Sequence, residues 1–211
     1  MAAAPAEPAL YSRIFTMTDT AILDATRSQR LKAATRDSHN ALDKRIMAGD
    51  IFANRAQFAR FLRVQYRFHR DIEALYASPE LGALLPDLDE RRRLPQIARD
   101  LADLEQALPA PAASAVPAPL PLPAALGWLY VAEGSNLGGT ILFKMAARLG
   151  LDAGFGARHL AAHPDGAARH WREFTAALDG VALTAEQEQL MIDAADAAFR
   201  SVHGHVELEF A

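Results

Sequence analysis

Cysteine is absent from this chain of 211 residues. That excludes a disulfide framework, a thiolate zinc centre and cysteine-held iron–sulfur clusters, and it fits a reducing cytosol. An excess of positive charge is missing too: 22 Lys and Arg stand against 26 Asp and Glu, for a formal net charge of -4. With no basic tract, the chain offers nucleic acid no electrostatic footprint. No apolar run reaches membrane-spanning length without interruption, since the richest, around 126–143, carries Glu133, Ser135 and Asn136. The N-terminus lacks a basic segment followed by a long apolar one, so no signal peptide is read there. Residues 1–24 are Ala/Pro/Thr-rich and expected to be poorly ordered, with Met17 a possible alternative start. The expectation is a cytoplasmic protein that binds neither nucleic acid nor membrane.

Alternating strand patterns are also lacking, and helical periodicity takes their place. "RSQRLKAATRDSHNALDKRIMAG" puts Leu31, Thr35, Ser38, Leu42 and Ile46 on one face and stops at Gly49. "NRAQFARFLRVQYRFHRDIEALYAS" follows, with Asn54 as N-cap and Phe58, Phe61, Leu62, Gln65, Phe68, Ile72 and Leu75 as its stripe. "DERRRLPQIARDLADLEQAL" reads as a more polar helix bent or begun at Pro95, its arginines forming a solvated face. The stretch 109–124, "PAPAASAVPAPLPLPA", is too rich in proline for helix and reads as a long surface loop. After an apolar, glycine-bearing helix come a segment broken at Pro164 and Gly166 and a last helix opened by the capping box "TAEQ" at Thr184. The fold class expected is all-α, a single domain over 25–211.

Glycine is where the pattern departs from an ordinary helix. "GWLYVAEGSNLGGTILFKMAARLG" (127–150) is apolar and helical in length, yet Gly127, Gly134, Gly138 and Gly139 lie inside it. Each internal glycine costs a helix about 0.8–1 kcal/mol relative to alanine, so something must require them. Gly127, Gly134 and Gly138 share one face by their i, i+7, i+11 spacing. Two uses fit: close packing against another helix, or main chain laid against a flat ligand. A phosphate loop does not, because "GSNLGGT" lacks the Gly-Lys-Ser/Thr ending.

Of seven histidines, His39 has the most informative neighbours. Asp43 lies one turn later, placed to orient the imidazole directly or through water. Lys32 lies seven residues earlier, roughly 10.5 Å along the axis. That spacing suits a planar ligand with iron at its centre and carboxylates at its rim, but by itself it favours an ordinary solvent-edge stripe with an Asp–His contact. Gln65 and His69 are an i, i+4 pair able to hold ordered waters. His159 and His163, beside turn residues and without the Glu of a zinc motif, read as loop anchors. His170, His203 and His205 belong to no constellation.

From about 27 to 199 the sequence resembles the bacterial biliverdin-producing haem oxygenases that release iron from haem. "GWLYVAEGSNLGG", "LFK", "FGARHLA" with "HPDG", "RSQRLK…H" and "FARFLRVQYRFHRDIEALY" carry the likeness by their order and spacing. The resemblance implies haem sandwiched between a proximal and a distal helix, with His39 as the iron ligand and Asp43 the carboxylate near it. It assigns Gly134 and Gly138 to the distal face, with Ser135 and Asn136 between them. Lys32 and Tyr130 would meet the propionates, while Gln65 and His69 would support a distal water network. It also implies oxidative cleavage of haem by O2 to biliverdin, CO and ferrous iron, haem being cofactor and substrate together. An external donor, a ferredoxin, a flavodoxin or a reductase, would supply electrons. Met47 and Met145 stand where some members carry lysines that rotate the haem, so the α isomer is expected. The alternatives are a non-catalytic haem carrier or sensor of the same fold, and a thiamin-degrading or diiron relative, which would need the absent cysteine or clustered carboxylates.

Overall fold

A computed structural model describes residues 25–211 apart from 112, 115, 117 and 118, so the expectation for 1–24 lies outside the described residues. Nine α-helices are present among them and no strand, only an isolated bridge between Asp152 and Gly156. They are α1 (Arg27–Ala34), α2 (Arg36–Ala48), α3 (Arg55–Asp71), α4 (Glu73–Tyr76), α5 (Pro79–Leu84), α6 (Leu94–Asp103), α7 (Leu122–Ala146), α8 (Ala167–Gly180) and α9 (Ala185–Phe210). The all-α expectation holds.

Local chemistry sets most of the starts. Thr26 and Gln29 close a capping box at α1, as Thr184 and Gln187 do at α9, and the Asn54 side chain accepts from Gln57 N at α3. Four expected boundaries shift. The first helix is split at buried Thr35, whose hydroxyl donates to the Leu31 carbonyl and whose backbone leaves the helical region at φ -95° and ψ 5°. The second stops at Asp71, and a separate turn, α4, resumes at Glu73. The third is a 3-10 turn, Asp89–Arg91, followed by α6. α7 begins at Leu122, inside the stretch expected to be all loop; Pro123 sits in its first turn, where the missing N–H costs nothing.

α7 is the axis of the molecule. Its residues from Pro123 to Glu133 are all buried, so this half is enclosed on every side. α9 crosses it at Gly127. A Cβ there would fall inside contact distance of the Met191 carbonyl oxygen and 2.9 Å from the Ala195 nitrogen. The larger apolar core, including Phe68, Trp128, Leu129, Phe174 and Val206, fills the space among α3, α7, α8 and α9. A second core, built on Phe58, Phe61, Ile97, Leu101 and Leu151, joins α3 and α6 to the segment after α7. The far end of α9 holds the helices beside it: Glu209 accepts from Arg63 (2.7 Å) and Arg67 (2.9 Å) of α3, and Glu207 from Arg45 (2.5 Å) of α2.

Gly127→Ala is expected to destabilise by about 1–3 kcal/mol or more, because α9 must shift its backbone to admit a methyl group. Gly204→Ala, where nothing lies within 4 Å of the added carbon, is expected to stabilise by about 0.4–1 kcal/mol. Urea midpoints of the two variants against the parent check the pair.

Candidate active site

α2, α3, α7 and α9 do not close on one another completely. They leave a slot of ≈ 890 Å³, at the upper end of the range typical of cofactor and ligand sites. Most expected site residues meet there: Lys32, His39, Asp43, Gln65, His69, Tyr130, Gly134, Ser135, Asn136 and Gly138 all line it, as does Met47. Met145 is not among the lining residues.

On the α2 wall the His39 side chain is about half exposed, and its ring meets Phe199 of α9 edge-on at 5.8 Å between centroids. Its Nδ1 lies 3.4 Å from Asp43 Oδ2, too long for a strong charge-assisted hydrogen bond. Asp43 therefore orients the imidazole without drawing its proton strongly. Lys32 is exposed on the preceding helix, free of any ion pair among the described residues.

The opposite wall is the second half of α7, and here the glycines divide their work. Gly127 is the helix-packing glycine. A Cβ on Gly138 would meet nothing within 4 Å, and one on Gly134 would meet only the Trp171 ring at 3.8 Å. Neither glycine is demanded by the protein's own packing; both keep main chain bare toward the slot. Both expected uses of glycine therefore occur, on different turns of one helix. The Ser135 hydroxyl donates back to the Ala132 carbonyl at 2.6 Å and so is not aimed outward. Tyr130 is buried, touches Trp171 at 5.5 Å, and has its phenol pushed up to about 12 by burial, so it remains a neutral donor.

One end of the slot is polar. His69 is buried, and its Nδ1 has no partner among the described residues. Burial, aided by His159 and Arg93, lowers its pKa to about 3, which keeps the ring neutral. Two residues here escaped the sequence reading. His159 is no mere loop anchor: Asp100 Oδ2 accepts from its Nδ1 at 2.8 Å and from its backbone N at 3.0 Å, leaving a buried, unpartnered Nε2. Burial depresses the His159 pKa despite Asp100. Arg93, expected on a solvated face, is buried and lines the slot.

Arg91 corrects that expectation further. It is fully buried, 2.9 Å from Glu133 of α7, and its guanidinium also faces the ring and carbonyl of His170 at 3.4 Å. His170 thus belongs to a constellation after all, and it stacks on His163 at 4.4 Å between centroids. His205 likewise has a partner, Asp71, at 3.2 Å. An arginine run carries no signal for burial, since the acidic partner lies 42 residues away in the sequence. No cluster of three or more His, Asp or Glu able to hold a free metal ion exists among the described residues. Nor is any described helix long and apolar enough to cross a membrane.

A slot with an open imidazole on one wall and bare helix on the other is the architecture of an all-helical haem protein. The chain belongs to the haem oxygenase family, the Heme oxygenase model matching residues 25–207, and it is an enzyme of that class. It is 44% identical to heme oxygenase PigA of Pseudomonas aeruginosa, over 88% of this chain and 93% of that protein. Its fold is similar to the NO- and CO-bound heme oxygenase of Neisseria meningitidis, with a TM-score of 0.83 and 37% identity over 88% and 92% of the two chains. It also shares its fold with heme oxygenase from Leptospira interrogans, with a TM-score of 0.70 and 19% identity over 87% and 100%.

The residues present fit haem. The slot has the volume, His39 is a nitrogen donor whose Nδ1 side is already occupied by Asp43, and the bare faces of Gly134 and Gly138 admit a flat ring. The buried histidines set an acid limit on the fold. Below the ordinary histidine pKa of 6.5 the unfolded chain protonates both His69 and His159, while burial keeps His69 neutral in the folded chain to about 3 and shifts His159 in the same direction. Stability is therefore expected to be full above that value and to fall as pH drops from 6.5 to 5, by about 1.4 kcal/mol per pH unit for each such histidine at most. Urea unfolding across that window checks the slope, which His69→Gln should reduce.

Proposed function

We propose that this enzyme cleaves haem with O2 and electrons to give biliverdin, CO and ferrous iron, so that iron is released from haem. The observation that carries the reading is the asymmetry of the slot, with an imidazole on one wall and side-chain-free helix on the other. Bound haem supplies the iron that takes O2 and the ring that is oxidised. The chain's own residues position, exclude and supply.

His39 would hold the iron from the α2 wall, with Asp43, 3.4 Å from its Nδ1, limiting rotation of the imidazole. At that distance Asp43 would orient the imidazole without taking its proton, so His39 would serve as an imidazole ligand and not as an anionic one. Lys32 and the neutral phenol of Tyr130 receive the carboxylates at the rim, one by charge and one by hydrogen bond. On the opposite wall Gly134 and Gly138 would place bare main chain, with no acidic or cationic side chain of their own, against the face of the bound ring. Protons come instead through water held by Gln65, His69 and Asn136. His69, neutral because buried, orders that water without acting as an acid.

With methionine at 47 and 145, no lysine draws the propionates toward a rotated seating, and the proposed product is the α isomer. The electron donor is external, of ferredoxin, flavodoxin or reductase type, because no nucleotide fingerprint appears in the sequence. A cytoplasmic location belongs to the same reading, supported by the cysteine-free composition.

Haem added to the protein is expected to give a Soret band, and a donor with O2 is expected to convert the complex to biliverdin. A haem complex that never turns over would mark a carrier instead. His39→Ala should abolish normal turnover; full activity without added imidazole would refute the ligand assignment. Chromatography should find the α isomer, and a predominance of β or δ would overturn the proposed seating.

Gly138→Ala separates the ligand's need from the protein's. Nothing within 4 Å opposes the new methyl group, so fold stability should be unchanged or raised by up to about 1 kcal/mol. Oxygen binding or the isomer ratio should nevertheless change. Unaltered kinetics and product would argue against the distal role.

A further inference from the structure

The buried end of the slot carries polar groups that haem itself cannot satisfy. His69 of α3, Arg93 just before α6, and His159 in the 3-10 turn Arg158–Leu160 are 2%, 9% and 5% exposed, and all three line the slot. They lie close together, since the Arg93 charge lowers the pKa of both imidazoles. Each presents an atom with no partner among the described residues: His69 Nδ1, Arg93 Nε and His159 Nε2.

The bonds already made sort two of these atoms into a donor and an acceptor. Arg93 Nη1 donates to Gln96 Oε1 at 3.1 Å, and Nε remains a spare donor, because a guanidinium accepts nothing. Asp100 Oδ2 accepts the hydrogen of His159 Nδ1 at 2.8 Å, so Nε2 of the neutral ring is a bare acceptor. The end of the slot thus offers a charged N–H near an imidazole lone pair. A lactam is the complement of that set, with a carbonyl oxygen and an N–H side by side in one ring.

Haem offers neither group. Its meso edge is C–H, and its four ring nitrogens are all taken by iron. Opening the ring at one meso carbon leaves two end rings, each a lactam with a new carbonyl oxygen and, once iron has gone, an N–H. The two propionates flank one meso carbon, and the α-meso carbon lies diagonally across the ring from it. With the carboxylates held at exposed Lys32, the α edge falls at the buried end. We propose that Arg93 and His159 form a subsite for the lactam end of the cleaved tetrapyrrole, so that the slot holds its product by contacts it cannot make with its substrate. The proposal rests on the haem-cleaving reading and its α product.

Ordering water does not require an arginine here. Burial weighs against the Arg93 charge, which nearby Glu133 favours without forming an ion pair with it among the described residues. A neutral amide at this position would hold a water without that desolvation cost. Charge-assisted hydrogen bonds are about twice as strong as neutral ones, so the cost is offset when a carbonyl oxygen arrives at Nε. The neighbouring His159 lone pair, fixed by Asp100, has the same property of waiting for an N–H that haem lacks.

α-Biliverdin added to the haem-free protein tests the subsite without any turnover. Crystals of that complex are expected to place a lactam oxygen within about 3.2 Å of Arg93 Nε. Arg93→Met keeps the length of the side chain and removes the donor. Its biliverdin Kd should rise about tenfold to a hundredfold, the worth of a hydrogen bond to a charged group, while the haem Kd from Soret titration stays within about threefold. A general loss of structure would weaken both ligands alike. The parent should also bind the α isomer more tightly than the δ isomer made by coupled oxidation of haem, and Arg93→Met should narrow that gap, because only the α isomer has its lactams opposite the propionates. Lactams seated away from Arg93 in the parent complex would overturn the proposal, whether or not Arg93→Met folds. So would an equal loss of haem and biliverdin affinity in the variant, or no loss of either. A parent that holds biliverdin at Arg93 yet never cleaves haem would support the subsite and overturn the functional reading.

Discussion

The structure depends on one helix presenting bare backbone to two different neighbours. α7 is buried through its first half, and at Gly127 it lets the α9 main chain come closer than any side chain permits. Two turns further on, Gly134 and Gly138 repeat the omission, but toward open space. The first omission locks α7 against α9, and that contact sets the opposite edge of the slot, since Phe199 and Val202 of α9 line it. The second omission keeps the slot flat. A helix that is weak by its own propensity is thereby made rigid by burial, and the weakness is confined to the turns that serve the ligand.

Most charged groups in the interior are paired; Arg93, which donates to the Gln96 amide oxygen at 3.1 Å, has no ion pair among the described residues. Arg91 sits on Glu133 and Asp100 holds His159, while Glu209 gathers two arginines. Buried pairs of this kind are weak evidence for added stability, because desolvation cancels much of their attraction. Their value here is position. Asp100 fixes which nitrogen of His159 carries the hydrogen, and Arg91 does the same for His170, so each ring presents one defined face. The polar end of the slot is in this sense built by residues that never touch its contents.

His39 and His69 show how burial, more than residue type, divides two histidines between roles. One is half exposed beside Asp43 and remains available as a ligand on an open wall. The other is enclosed, held neutral down to about pH 3, and suited to ordering water. Both line the same slot, so the two environments meet across one space.

Much of this was legible in the order of residues. Helical periodicity, the capping boxes at Thr26 and Thr184, and the glycine spacing of 127–139 all follow from interactions within a turn or two, which sequence records directly. The i, i+4 and i, i+7 relations among Lys32, His39, Asp43, Gln65 and His69 are of that kind, and all five line the slot. What escaped were partnerships across long separations. Arg91 and Arg93 look like a solvated run until Glu133 arrives from another helix, and His159 looks like an anchor until Asp100 turns its ring. Local spacing cannot tell which glycine meets a backbone and which meets a void, because the three share one face and differ only in what lies opposite. That difference is made by the packing of α9 and α8 around α7, where desolvation and close approach decide the outcome.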